Sequence, residues 1–313
     1  MRKLLVTGGA GFIGSALVKR LLEDVDNEIV VVDNLLTGHI DKLPPKNPRL
    51  KFIKSNVNIH KGIAEIMTTY KFDYVFHYAA MVGVSRTLDN PVSVLDDIQG
   101  IKNILELSKN TGVKRVFFSS SSEVYGEPVE FPQNEETTPL NSRLPYAIVK
   151  NVGEAFVKSF HQEYGLEYTI FRFFNTYGVN QSKDFVISKF ILAAQNNQDI
   201  TIYGDGSQTR TFCFIEDHID ATVKIAYEDA YINDVVNIGN SVETPIKHLA
   251  EIVIKTCDSE SKIINLPPLS EGDMKRRKPD NSKMLKVLNR DLLPIEEGLK
   301  KIIAQGLFEQ AHS

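Results

Sequence analysis

Residues 7–14 read Thr-Gly-Gly-Ala-Gly-Phe-Ile-Gly, directly after the apolar run Leu4-Leu5-Val6. No other stretch of the chain restricts the fold as strongly. A strand that runs into closely spaced glycines must turn sharply, and Ser15 to Glu23 then carries apolar residues at helical spacing. Ile29-Val30-Val31-Val32 reads as a second strand. Strand, turn, helix and strand within about 30 residues make a βαβ unit, whose strands are parallel.

The pattern continues. Leu50–Ile53, Tyr74–His77, Val116–Ser119 and Tyr168–Phe171 are further strand candidates, separated by helical stretches around 60–70, 91–110 and 146–164. Continuous apolar strands alternating with helices predict a parallel sheet covered on both faces. The chain has 313 residues, 42% of them hydrophobic, enough for one large core and a smaller lobe. The expected class is α/β, a Rossmann-like doubly wound parallel sheet with a smaller C-terminal substrate-binding lobe. Residues 1–173 would form the nucleotide-binding domain, with segments around 212–240 returning to it, and 174–313 would form mainly the lobe. Beyond Phe173 the reading is a loop over 175–183, a helix over 185–196 and a strand over 200–202. A turn follows at 204–207, then a helix over 216–229 and a strand over 235–238 that returns to the large sheet. A helix over 246–256, a polar and basic loop over 267–279 and a closing helix over 292–308 complete it.

Composition removes several function classes. The formal charge is -4 with Lys and Arg spread along the chain, which argues against a nucleic-acid binder. No apolar run approaches membrane-spanning length. Cys213 and Cys257 lie in no metal-ligand cluster and make no disulfide framework, so no metal is expected. A strand that starts at Lys3 predicts no signal peptide, and the expected setting is a reducing cytoplasm.

The glycines point to a dinucleotide. Gly8 permits the tight turn, Gly11 lets backbone approach a pyrophosphate, and Gly14 lets the helix pack close to the sheet. Amides at the helix start, those of Phe12 and Ile13, would hold the phosphates. Asp33 ends the second strand, where it would accept from the adenosine ribose hydroxyls and repel a 2′-phosphate, favouring NAD over NADP. Asn34, Thr37 and Gly38 line the same edge. Tyr146 and Lys150 share a helical face at i and i+4. A tyrosine normally titrates near 10. A neighbouring ammonium favours its phenolate, which makes it a candidate base. Ser121, in the serine cluster after the fifth strand, would hydrogen-bond the reacting hydroxyl. His77, at a buried strand end, reads as a packed or hydrogen-bonded histidine.

These segments, in this order, resemble an extended short-chain dehydrogenase/reductase of the NAD-dependent nucleotide-sugar epimerase/dehydratase family. The likeness also takes in Phe76–Ala80, Ser119–Gly126, Arg172–Gly178, Tyr203–Phe212 and Lys275–Asp280, and so covers essentially the whole chain. It implies bound NAD, a nucleoside-diphosphate sugar (a UDP-sugar) and a 4-keto intermediate. Carried over by position, Ser121, Tyr146 and Lys150 are catalytic, and Ala79 and Ala80 line the cofactor wall. Ser85 and Arg86 meet the diphosphate region, and Asn175 contacts substrate. Arg210 clamps the diphosphate, with Arg276 or Arg277 as a second clamp. Asn56 and Val57 fall where the family often carries Gly-Asp-x-x-Asp for adenine, a departure in Ser55-Asn56-Val57-Asn58-Ile59. The resemblance further implies a homodimer joined through the helices near 91–110 and 146–164.

The reaction is less constrained. Family dehydratases carry Asp-Glu where this chain has Ser122-Glu123, and serine is a poor proton donor. Nucleotide-uronate decarboxylases share the Ser122–Gly126 and Arg277–Asp280 strings, but Asp184–Phe190 lacks their arginine. A 4-epimerase needs no further acid or base and is the preferred reading, with decarboxylase and 4,6-dehydratase as alternatives. Glu123 is read as catalytic or as structural. Val82, Glu123, Asn175 and Phe185 are expected to set sugar specificity.

Overall fold

A computed structural model describes residues 1–267 and 276–305. Its first unit comprises 1–126, 139–173 and 219–237, and is built on one large sheet. In chain order the strands are β1 (Arg2–Thr7), β2 (Asn27–Asp33), β3 (Leu50–Lys54), β4 (Tyr74–His77), β5 (Arg115–Ser121) and β6 (Glu167–Phe173). In space the order is β3-β2-β1-β4-β5-β6, and the strand Asp234–Ile238 lies beyond β6. Every pair from β3 to β6 is parallel. The chain winds outward from β1 in both directions, so the order reverses between β1 and β4, where Thr7 sits beside His77. Ligands of open α/β sheets lie at such a reversal, beyond the carboxyl ends of the strands. The Rossmann-like class expected from the sequence is the one observed.

The helices of this unit are α1 (Phe12–Leu21), α2 (His60–Tyr70), α3 (Val84–Asp89), α4 (Pro91–Leu95), α5 (Asp97–Thr111) and α6 (Pro145–Tyr164). Leu4, Leu5 and Val6 are fully buried in succession, as a strand covered on both faces requires. One core joins Leu5, Val32, Val75, Val116, Phe118 and Ile170 of the sheet to Ile63, Met67, Ile101, Ile104, Val149 and Val157 of α2, α5 and α6. Each such side chain contributes about 1.5–3 kcal/mol of burial.

The second unit comprises Glu127–Thr138, Phe174–His218 and residues from Ile238 on. It holds two-stranded pairings: Thr176–Tyr177 with Cys213–Phe214, Thr209–Thr211 with Glu243–Pro245, and Ile200–Tyr203 with Ile263–Leu266. Its helices include Val186–Gln195, Ile246–Thr256, Ser282–Leu288 and Ile295–Ala304. No helix among the described residues is long and apolar enough to cross a membrane.

Several expected elements differ in detail. The helix read over 91–110 is two helices, interrupted at Asp96. Beside the break the Asp97 carboxylate accepts from Met81 N (2.7 Å) and Asn58 Nδ2 (3.2 Å), tying the chain to neighbouring segments rather than to the helix. The loop over 175–183 contains the short strand Thr176–Tyr177. The closing helix begins at Ile295 rather than 292, because Leu293 N donates to Asp217 Oδ2 (2.8 Å) and Pro294 sets the entry. Its expected end at 308, and residues 268–275 of the polar loop, lie outside the described residues.

Gly8 makes a steric demand on the turn after β1. Its φ is +69°, and a Cβ there would stand 2.7 Å from Ala79 N. Gly8→Ala is expected to cost roughly 1–3 kcal/mol of unfolding free energy, for left-handed backbone and the contact with β4's extension. Urea titration of wild type and variant checks this, and equal midpoints would contradict it.

Candidate active site

The cradle at the reversal starts where β1 stops. Gly8 N donates to Val32 O (2.8 Å) and Gly11 N to Gly8 O (3.1 Å), which folds the turn back on itself. A Cβ on Gly14 would collide with the Gly8 carbonyl, so α1 sits against the turn only because that residue is glycine. Gly11 supplies no side-chain cap, and the amides of Phe12 and Ile13 open the helix with no intrahelical acceptor. Asp33 is buried at the end of β2. Its Oδ2 accepts from Ala10 N (3.0 Å) and its Oδ1 from Leu35 N (2.8 Å). A carboxylate keeps further lone pairs beyond these two bonds. Gly38 lies against it, where a Cβ would stand 2.9 Å from Oδ1. Asn34 Oδ1 accepts from Leu36 N, and Thr37 is half-buried on the same edge. Burial pushes the nearby Lys42 ammonium down, against the pull of Asp33. A turn whose Gly8 and Gly14 have no room for a side chain, followed by the buried Asp33 carboxylate at the end of β2, fits NAD.

The other expected cofactor residues follow the ends of β3 and β4. Ala79 N donates to Thr7 Oγ1 (3.2 Å), and Thr7 Oγ1 lies 2.8 Å from His77 Nδ1. Burial, with the Lys150 charge, pushes His77 down to about 3, so it is a neutral hydrogen-bonded core residue as read from the sequence. Ala80 is half-buried. Asn56 Oδ1 turns the chain by accepting from Asn58 N (3.0 Å), and Val57 is buried with its carbonyl on Asn103 Nδ2 (2.8 Å). Ser85 and Arg86 lie on α3, and Arg86 Nη1 donates to Val82 O (2.9 Å).

The candidate chemical groups come from β5 and α6. Pro145 opens α6 with φ already set for a first helical residue, and Tyr146 follows it in the first turn. Gly153 lets α6 lie directly on the Phe118 ring of β5. Lys150, one turn after Tyr146, is buried. Its Nζ donates to Ser119 O (2.6 Å) and lies 3.4 Å from Ser119 Oγ. The same Nζ stands 5.8 Å from the Tyr146 ring centroid and 5.2 Å from that of Phe118. Burial pushes the ammonium down to about 8, and the Asp97 charge opposes it. Ser121 ends β5 and caps the short turn Ser122–Tyr125, its Oγ accepting from Glu123 N (3.2 Å). A hydroxyl that accepts there still has a proton to donate. Ser122 is buried and Glu123 half-buried in that turn. Tyr125 is held by Asn237 Oδ1 (2.8 Å) and Arg172 Nη1 (2.9 Å).

In the second unit, Asn175 O accepts from Cys213 N (2.9 Å). Arg210 Nη1 donates to Thr209 O (2.8 Å). The two arginines that the sequence left as alternatives have different surroundings. Arg276 Nε and Nη2 donate to the Glu243 carboxylate (2.5 and 2.6 Å), and its guanidinium lies 4.4 Å from the Phe131 centroid. The Arg276 hydrogen bond in turn holds Glu243 below the usual carboxylate range. Arg277 is buried.

Sequence reasoning missed Ser119, Asp97, Glu154 and Glu243. Ser119 acts through its carbonyl, which no residue type announces. Glu154 had a signal, since it falls one turn after Lys150 on the same helix.

A glycine cradle and a Tyr–Lys pair at the carboxyl ends of a doubly wound sheet define a dinucleotide-dependent enzyme of the α/β class. Residues 4–239 match the NAD dependent epimerase/dehydratase family. The chain belongs to that family, and its cofactor is NAD. It is 34% identical over 309 residues to UDP-glucuronic acid decarboxylase 6 of Arabidopsis thaliana, covering 95% of this chain and 86% of that protein. Among solved structures it resembles UDP-glucose 4-epimerase of Thermotoga maritima with UDP-glucose, with a TM-score of 0.90 and 32% identity over 96% of this chain and 97% of that one. UDP-glucose 4-epimerase of Thermus thermophilus in complex with NAD gives a TM-score of 0.90 at 26% identity, over 98% and 100% of the two chains.

The Lys150 environment has a measurable sign. Its folded-state pKa, about 8, lies below the unfolded value of 10.5, so the unfolded chain binds more protons between them. Stability from this group therefore rises as pH is raised from about 8 towards 10.5. Relative to Lys150→Met, wild type is expected to gain up to about 1.4 kcal/mol per pH unit across that window. Paired denaturant titrations across the window test this, and a difference independent of pH would contradict it.

Proposed function

We propose that this chain oxidises the C4 carbinol of a nucleoside-diphosphate sugar, most simply a UDP-sugar, and then reduces the 4-keto sugar again at the same site. The observation that carries the reading is Lys150, buried and fixed on Ser119 O at 2.6 Å, with its ammonium facing the Tyr146 ring. NAD, when bound, supplies a reversible hydride acceptor. Tyr146, as phenolate, takes the C4 hydroxyl proton and later returns it. Lys150 holds that phenolate through its positive charge. Ser121 donates to the C4 oxygen as it becomes a carbonyl. Gly8, Gly11, Phe12, Ile13, Gly14, Asp33, Asn34, Thr37, Gly38, Asn56, Val57, Ala79 and Ala80 are proposed to hold the cofactor. Ser85, Arg86, Asn175, Arg210 and Arg276 or Arg277 are proposed to hold the nucleotide sugar, with Ser122 and Glu123 beside its ring.

Two completions use the same three residues. In a uronate, the 4-keto group is β to the carboxylate. CO₂ leaves, the electron pair moves into the ketone, and a proton returns at C5. The Arabidopsis relative and the Ser122–Gly126 and Arg277–Asp280 strings support this decarboxylation. In a neutral sugar the ring turns over and reduction inverts C4. The Thermotoga neighbour, and an Asp184–Phe190 segment without the decarboxylase arginine, support this epimerisation. Of eight relatives 32–34% identical, seven are UDP-glucuronic acid decarboxylases and one is a putative UDP-glucose 4-epimerase, so decarboxylation stands first.

We also propose a homodimer in a reducing, cytoplasmic setting. Val92 and Leu95 of α4 and Ile148 of α6 are exposed apolar side chains on helices that the family resemblance places in a dimer contact. Both cysteines are free thiols.

Incubation with UDP-, dTDP- and GDP-sugars and their uronates, read by NMR without added cofactor, separates the outcomes. Loss of CO₂ selects decarboxylation, inverted C4 selects epimerisation, and a lost hydroxyl would select dehydration against both. Tyr146→Phe is expected to lower turnover about 10²–10⁴-fold while keeping its bound NAD. Turnover by that variant at the wild-type rate would remove Tyr146 as the base.

A further inference from the structure

The helix that carries Tyr146 and Lys150 is fastened to the sheet at a second point, one turn further on. Glu154 follows Lys150 at i+4 and is 2% exposed. Its Oε1 accepts from Ser120 Oγ (2.6 Å) and Arg172 Nε (2.9 Å), and its Oε2 from Arg172 Nη2 (2.8 Å). Ser120 and Arg172 are register partners on the parallel strands β5 and β6, so one step of the ladder presents both to the same carboxylate. Arg172 is also 2% exposed, and its remaining Nη1 donates to Tyr125 Oη (2.9 Å). Tyr125 Oη donates in turn to Asn237 Oδ1 (2.8 Å) on the outermost strand. Burial pushes the Arg172 guanidinium down, but the Glu154 bonds and charge outweigh it and the net direction is up.

This network touches every backbone segment that presents a candidate catalytic group. Glu154 belongs to α6, which bears Tyr146 and Lys150. Ser120 lies between Ser119, which anchors Lys150, and Ser121. Tyr125 closes the turn that holds Ser122 and Glu123. Consecutive serines thus index consecutive turns of α6, Ser119 on Lys150 and Ser120 on Glu154. A buried pair is a weak source of stability compared with apolar residues of similar volume, but it fixes geometry because its bidentate fork has one fit.

We propose that Glu154 and Arg172 are positioning residues: their ion pair sets the height of α6 on β5 and so the placement of Tyr146 and Lys150 relative to Ser121. The proposal rests on the reading of Tyr146, Lys150 and Ser121 as the proton-handling set. Neither residue touches the reacting atoms. Their effect passes through the Lys150 ammonium, which must stand at a fixed distance from the phenol to favour phenolate.

The test uses Glu154→Gln/Arg172→Met, which leaves no unpaired buried charge and keeps an acceptor for Ser120. Tyr125→Phe serves as a second variant that removes the acceptor of Arg172 Nη1 and keeps both members of the ion pair. Lys150 on α6, Asp97 on α5 and His77 on β4 are unchanged in both. Two readouts are taken. The first is the ultraviolet absorbance titration of the Tyr146 phenolate, obtained for each protein as the difference from its own Tyr146→Phe counterpart. The second is turnover and KM of whichever nucleotide sugar wild type converts. The double variant is expected to raise the phenolate midpoint by about one pH unit, and to lower turnover about 10–100-fold with KM within about threefold. Tyr125→Phe is expected to move both in the same direction by less. A folded double variant with the wild-type midpoint and turnover would overturn the proposal. If the double variant does not fold, an unmoved midpoint in Tyr125→Phe overturns it and a raised midpoint supports it. Wild type converting no nucleotide sugar would defeat the functional reading, and the titration alone would then decide the positioning role.

Discussion

A lysine ammonium held inside the protein by a main-chain carbonyl is the constraint on which the candidate site depends. Lys150 gives up water for Ser119 O, the Ser119 hydroxyl and the faces of Phe118 and Tyr146. Burying a cation this way is costly, and burial lowers its proton affinity. The arrangement persists because α6 lies flush on β5, with Gly153 removing the side chain that would hold them apart. Packing of a glycine on a phenylalanine ring therefore helps set the distance between the Lys150 ammonium and the Tyr146 ring.

The same logic runs along the sheet. Parallel winding from β1 outward brings the carboxyl ends of β1, β4 and β5 side by side, so Thr7, His77 and Ser119–Ser121 are neighbours despite their separation in sequence. His77 serves here as mortar: its ring takes up Thr7, its carbonyl takes up the Ser119 hydroxyl (3.1 Å), and it stays neutral. The glycine turn and the Tyr–Lys pair are then two ends of one surface rather than two motifs.

Much of this was legible in the sequence, for definite reasons. Buried parallel strands announce themselves as continuous apolar runs, and those beginning at Leu4, Ile29, Tyr74, Val116 and Tyr168 all fall within strands of the sheet. The glycine string was readable because a turn with positive φ at Gly8 tolerates little else. Less was legible where a side chain does local work. The Asp97 carboxylate bonds outside its own helix, to Met81 N and Asn58 Nδ2, and two helices stand where periodicity suggested one. Short strands such as Thr209–Thr211 and Glu243–Pro245 pair across a long separation and leave no period to detect. The pairing of Arg276 with Glu243 was not legible either, because nothing in the local sequence links the two.

The central claim is that one site both removes and restores hydrogen at C4. It is tested most directly by turnover of a substrate carrying deuterium at C4, without added cofactor and with the product examined by NMR. The account predicts that the label returns to C4 of the product, whether the sugar has been inverted or has lost CO₂. Deuterium lost to solvent, or appearing only on released cofactor, would contradict it.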